Sequence, residues 1–201
     1  RNLLRRDNVN GLKKMFLIRG IDEIKTLENA ENVIGRTKWD RVCTAQINPN
    51  LNYFHCNETL RGEFYNHSWS LDHCEKYSIF LSQGQYSIKG FHYMLEAMPL
   101  ILKRFPDAKI YISGKDIVKR DSFKDKILFT YYGKYIQKLI KKNNLENKVI
   151  FTGVLNEKEM CKRFLKSHVF VSPSTIENES NSLSEAKILG VPSIASYVGG
   201  V

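Results

Sequence analysis

Hydrophobic positions fall into two regimes along this 201-residue chain. From Tyr77 onward, short β-branched or aromatic runs alternate with stretches whose apolar residues recur every three or four positions, the marks of strands and amphipathic helices. Tyr77 to Leu81 predicts a strand. A helix is expected near Lys89 to Phe105, where Phe91, Met94, Leu95, Met98, Ile101, Leu102 and Phe105 share a face. Pro99 lacks an amide donor and is expected to kink or split that helix, which Pro106 and Asp107 end. Lys109 to Ser113 predicts the next strand, closed by Gly114. Residues 115–131 carry no clear period, and a basic helix is expected from about Lys134 to Lys142, burying Tyr135, Ile136, Leu139 and Ile140. Beyond it, Val149 to Thr152, His168 to Val171 and Ser193 to Ala195 predict strands, and Glu157 to Lys166 and Ser182 to Leu189 predict helices.

Strands interleaved with helices in this way predict an α/β fold, a Rossmann-like doubly wound parallel sheet covered on both faces. Ligands bind such sheets at the carboxyl ends of their strands, so the loops after Leu81, Ser113, Thr152 and Val171 are the places to search. The first 75 residues are less regular. Thr37 to Ala45 predicts a helix with Thr37 as N-cap, and Asn57 to Arg61 a short helix. Residues 1–75 read as the end of one domain plus a linker, and residues 76–201 as a second domain.

With 42% hydrophobic and 26% charged residues the composition is that of a globular protein, which excludes a disordered or collagen-like chain. The charge is less ordinary: 31 Lys and Arg against 21 Asp and Glu give +10, pointing to an anionic ligand, nucleic acid or a membrane surface. Residues 103–148 hold 13 basic and 5 acidic side chains, so the surplus is concentrated in one segment. Cysteines at 43, 56, 74 and 161 form no CxxC pair and no histidine stands at ligand spacing, so neither a zinc site nor a disulfide framework is expected, and reduced thiols in the cytoplasm fit. No apolar run approaches the roughly 18 residues of a membrane span, and Arg1 to Arg6 lacks the apolar core of a signal peptide. The chain lacks an initial Met and stops at Val198-Gly199-Gly200-Val201, directly after an apolar segment, so a fragment truncated at its C-terminus is expected.

The chemistry concentrates in Val171-Ser172-Pro173-Ser174-Thr175-Ile176-Glu177, continuing through Asn181-Ser182-Leu183-Ser184-Glu185-Ala186. A strand ends at Val171, a polar loop carries Glu177, and a helix opens near Asn181 with Glu185 expected in its first turn. Amides at a helix N-terminus bind anions, phosphate above all. Ionised carboxylates are pure acceptors suited to sugar hydroxyls on either side of a diphosphate. The simpler reading makes Glu185 a capping acid on the helix dipole, with Glu177 and Glu179 solvated loop residues.

These residues also carry a resemblance. Pro173-Ser174, Glu177, Glu185-Ala186, Gly190-Val191-Pro192 and Gly199-Gly200 match the pattern P-S-x2-E-x7-E-A-x3-G-x-P-x6-GG, and Ile88-Lys89-Gly90, Phe105-Pro106-Asp107-Ala108 and Gly153 follow in the expected order. Residues 76–201 thereby resemble the family 4 retaining glycosyltransferases of the GT-B fold, specifically their donor-binding half in a bacterial polysaccharide-type subgroup. The resemblance implies transfer of a sugar from a nucleotide-sugar to a saccharide or lipid-linked acceptor, with retention of configuration and with no metal or other cofactor. By position, Glu177 would contact the donor sugar and Glu185 the ribose. Lys89 would stabilise charge on the leaving diphosphate, with amides of Asn181, Ser182 and Leu183 assisting, and Val154 and Leu155 would lie against the base. Many members carry an Arg five residues before the Lys; Gly84 stands there in this chain, so Lys89 is expected to act with backbone amides of the Gly84 loop.

Gly35 to Asp40, Ile47-Asn48-Pro49 and Glu58 to Arg61 are similar to the end of the acceptor-side domain in the same subgroup. Earlier acceptor-domain residues have no counterpart, so these 201 residues are expected not to turn over alone. Two other readings stand beside the transferase. One is a Rossmann-like domain that kept the fold and lost activity, consistent with Gly84. The other is a nucleic-acid-binding module using Phe123, Phe129, Tyr131 and Tyr132 among the lysines, although no recognised motif accompanies that charge. With the transferase reading, no nucleic-acid partner is expected. Lys134, Lys138, Lys141 and Lys142 would then face anionic lipid at the inner face of the membrane.

Overall fold

The computed structural model describes residues 9–121 and 130–201. The chain divides into two compact units, with the change falling between Glu58 and Thr59 rather than at residue 75. Phe123 and Phe129 lie outside the described residues.

In the first unit, helix α1 (Val9–Glu28) precedes strand β1 (Asn32–Gly35), helix α2 (Lys38–Ile47) and strand β2 (Asn52–His55). β1 and β2 pair in parallel. α2 starts as expected: the Thr37 side chain accepts from the Asp40 amide, and Asp40 returns the contact to the Thr37 amide, a capping box. Asn57 to Arg61 forms no helix; the short helical turns fall later, at Gly62–Asn66 and Leu71–His73.

The second unit is built on five parallel strands: β3 (Glu75–Leu81), β4 (Lys109–Ser113), β5 (Val149–Gly153), β6 (Ser167–Ser172) and β7 (Ser193–Ala195). Their order in space is β5-β4-β3-β6-β7. Strand alternation sends Ile79 and Leu81 to one face and Phe80 to the other. The first face is covered by α3 (Phe91–Arg104) and α4 (Tyr131–Lys142), through Phe91, Leu95, Met98, Ile136 and Leu139. The second is covered by α5 (Glu157–Leu165) and α6 (Asn181–Leu189), where Phe80, Phe164 and Phe170 pack ring against ring with Phe64. Phe64 belongs to the stretch first read as linker. Trp69 fastens the same stretch, its amide donating to Leu189 and its indole to the Ser167 carbonyl.

Two expectations change in the helices. Pro99 lies inside α3, which runs unbroken from Phe91 to Arg104. The Leu95 carbonyl that proline leaves without its usual amide accepts instead from the Asn143 side chain at 3.1 Å. In α4 the buried positions are Gly133, Ile136, Leu139 and Ile140, while Tyr135 is exposed and donates its hydroxyl to Glu96. Gly133 is buried because its Cα approaches the Ile117 carbonyl, where a Cβ would come within 2.4 Å.

Candidate functional site

Order reverses between β3 and β6, and this switch point is the usual ligand position in doubly wound sheets. The β3–α3 loop carries Gly84 and Lys89; the β6–α6 loop carries Ser174 and Glu177. Backbone contacts bind these loops together. Thr175 donates its amide to the Ile88 carbonyl at 2.8 Å, and its hydroxyl donates to the same oxygen at 3.2 Å. Gly90, at φ +74°, passes so near the Pro173 carbonyl that a Cβ would fall 1.8 Å from that oxygen. Glycine is required there on both counts. Gly199 similarly sits against the Glu177 carbonyl, 2.0 Å from where its Cβ would be.

Lys89 does not open α3. It ends a short helical turn, Ser87–Lys89, and left-handed Gly90 separates it from the helix. From there its Nζ donates to Glu177 Oε2 at 2.5 Å, with both side chains largely buried, and the Ser174 hydroxyl reaches the same oxygen at 3.4 Å. Glu177 is therefore no solvated loop acid, and it is the anion that compensates the cation beside the α3 N-terminus.

Glu185 is the fifth residue of α6, beyond the first turn, so the capping-acid reading does not describe it. Its carboxylate is almost wholly buried and accepts from Arg61 Nε at 2.7 Å and Nη2 at 2.8 Å, a two-point fork. These bonds push the Arg61 guanidinium further up from its already high pKa. The N-cap of α6 is Ser180, whose side chain accepts from the Leu183 amide. The Leu183 amide is thus engaged by Ser180. Asn181 and Ser182 form the first two positions of the helix.

Gly84 is buried, and its amide donates to the Ser113 carbonyl at 3.1 Å. A Cβ there would lie 2.3 Å from Ile112 Cγ1, so this position closes on the core and has no room for a side chain. Val154 and Leu155 follow Gly153 in the β5–α5 loop, with Val154 strongly exposed. Among the described residues no group of three or more His, Cys, Asp or Glu could hold a metal ion, and the four cysteines are unpaired. His168 serves the fold: its Nδ1 accepts from the amide of Tyr77, which holds an irregular position of β3 at φ +62°. Tyr132, one of the rings considered for nucleic acid, turns inward to His92 and is half-buried.

Sequence reasoning noted Arg61 only within a similar stretch and did not connect it to Glu185, 124 positions away. Ser174 and Thr175 were likewise part of a motif without assigned contacts. No local periodicity signals either pairing.

Lys89 and Glu177 thus meet at the switch point of a doubly wound sheet. The model of the glycosyl transferases group 1 matches residues 64–201, and the chain belongs to that family. It is 32% identical over 127 residues to an uncharacterized glycosyltransferase of Methanocaldococcus jannaschii, a match covering 63% of this chain and 28% of that protein. A variant of S. aureus TarM in complex with fondaparinux, alpha-GlcNAc-glycerol and UDP is similar in fold, with TM-score 0.67 and 23% identity over 88% of this chain and 32% of that one. Anabaena HepE in complex with UDP and glucose gives TM-score 0.64 at 17% identity, covering 85% of this chain and 45% of that one. The chain thus spans less than half the length of each of these proteins, and its second unit has the doubly wound architecture of one half of a GT-B fold.

Proposed function

We propose that this chain carries the donor-binding half of a retaining glycosyltransferase that moves a sugar from a nucleotide-sugar to a saccharide or lipid-linked acceptor. The Lys89–Glu177 contact at the switch point carries the reading. In it a cation for a diphosphate and an acceptor for sugar hydroxyls stand side by side. Lys89 stabilises negative charge as the diphosphate departs, and fixed charge in a partly buried site is the strongest single source of such catalysis. Glu177 accepts from donor-sugar hydroxyls once Lys89 turns toward the phosphates. Glu185 accepts from the ribose, the Asn181 and Ser182 end of α6 adds positive helix-dipole potential, and Val154 and Leu155 meet the base. With Lys89 supplying the countercharge, the reaction needs neither metal nor organic cofactor. Retention of configuration is inferred from the E-x7-E resemblance. UDP in the TarM and HepE complexes favours a uridine nucleotide as the donor's base.

Lys134, Lys138, Lys141 and Lys142 all lie exposed on α4, and no described helix is long and apolar enough to cross a membrane. A peripheral contact with anionic lipid at the cytoplasmic face suits a lipid-linked acceptor. The test is a thermal-shift panel of UDP-, GDP- and ADP-sugars on the full-length protein, with and without a chelator. One nucleotide class is expected to raise Tm, chelator leaving the shift intact. Absence of a shift with every member refutes the donor site.

A further inference from the structure

The residue that holds Glu185 stands outside every motif of the site. Arg61 lies in the segment entering the second unit, and that segment is tied down along its length. Its neighbour Glu63 donates an amide to Glu157 at the start of α5 at 2.8 Å. The Arg61 guanidinium is 4.8 Å from the centroid of the Phe64 ring, and Phe64 is fully buried. Clamped between ring and carboxylate, Arg61 has little freedom to leave, and its fork fixes the plane of the Glu185 carboxylate.

The fork also determines what Glu185 can still accept. A carboxylate offers about four lone-pair positions, and Arg61 occupies one on each oxygen. One position on each oxygen remains, and because the two point apart, each is left for a separate hydroxyl donor.

We propose that Arg61 is a positioning residue of the nucleotide-sugar site, holding Glu185 oriented so that its remaining acceptor positions read the ribose hydroxyls. The inference rests on the reading of Glu185 as ribose acceptor. A role in folding alone would leave the preference for ribose over deoxyribose untouched, so that preference is the readout.

In the full-length protein, affinities for UDP and for 2′-deoxy-UDP are measured by calorimetry for wild type, Arg61→Lys, Arg61→Met and Glu185→Gln. Wild type is expected to prefer the ribonucleotide by about tenfold or more, the range of a hydrogen bond to a charged acceptor. Arg61→Met is expected to bring the two affinities within about twofold, and Arg61→Lys to fall between. In the Glu185→Gln background, Arg61→Lys is expected to change the ratio no further. A wild-type ratio retained by both Arg61 variants overturns the inference while leaving the donor site standing. Should Arg61→Met not fold, the folded Arg61→Lys variant decides by the same ratio. Failure of wild type to bind UDP, GDP or ADP overturns the donor-site reading and this one with it; binding without ribose preference overturns only this one.

Discussion

Gly84 stands where the resemblance to glycosyltransferases leads one to expect an Arg, and the structure makes a quantitative prediction about filling it. A Cβ at Gly84 would lie 2.3 Å from Ile112 Cγ1 and 2.7 Å from Cδ1. Ile112 is 1% exposed within the core beneath α3, so these atoms cannot swing into solvent. Overpacking of this kind costs about 1–3 kcal/mol. Gly84 is not among the glycines at positive φ, so alanine meets no backbone strain there and gains about 0.4–1 kcal/mol by restricting the unfolded chain. Gly84→Ala is therefore expected to destabilise by about 1–2 kcal/mol, a fall in Tm of roughly 3–6 °C. Ile112→Ala removes both atoms in conflict, at its own cost of about 2–5 kcal/mol. In that background Gly84→Ala is expected to change sign and stabilise by a few tenths of a kcal/mol. Urea denaturation of the four proteins in this cycle measures the coupling directly. Equal effects of Gly84→Ala in both backgrounds would refute the steric account. Gly84→Arg meets the same contact, so placing a cation at this position is expected to lower stability rather than raise activity.

Three further outcomes are expected. Lys89→Met lowers kcat/KM for the donor by about 10²-fold or more, and Lys89→Arg recovers part of the loss; steady-state kinetics with the full-length enzyme measure both. Asn143→Ala removes the donor to the Leu95 carbonyl and costs about 1–2 kcal/mol, and in a Pro99→Ala background, where residue 99 regains an amide, the same change costs markedly less in thermal denaturation. Burial pushes the Tyr132 phenol up to about 12 from the ordinary 10.0. A folded-state pKa raised in this way gives stability that is complete below pH 10 and is lost as pH rises toward 12. Tyr132→Phe is expected to flatten that loss, followed by Tm against pH.

Much of the second unit was legible because each element reports its own faces. The strand at Lys109–Ser113 and that at Ser193–Ala195 were delimited by their apolar runs, and Ser182–Leu189 differed from α6 by one residue. α5 ended one residue sooner than expected, at Leu165. The apolar spacing joins Lys89 to the following helix, and the structure separates them at Gly90. The close approach of Pro173, which demands a left-handed glycine, comes from the loop after β6. In the first unit the parallel pair β1 and β2 went unread. Four-residue strands whose positions are all exposed or half-exposed have too little alternation to register as period two.

Sequence alone determined the alternation of strands and helices, the concentration of charge in residues 103–148, and the pair Glu177 and Glu185 on either side of a helix start. These are properties of short segments, set by residue type and spacing. The partners of those acids were decided only when the chain folded: Lys89 for Glu177 across 88 positions, and Arg61 for Glu185 across 124. A parallel sheet brings together loops whose residues share no local period, so the pairing is a consequence of strand order. Gly84 shows the same division, since a missing cation in the motif becomes, in three dimensions, a site closed by Ile112.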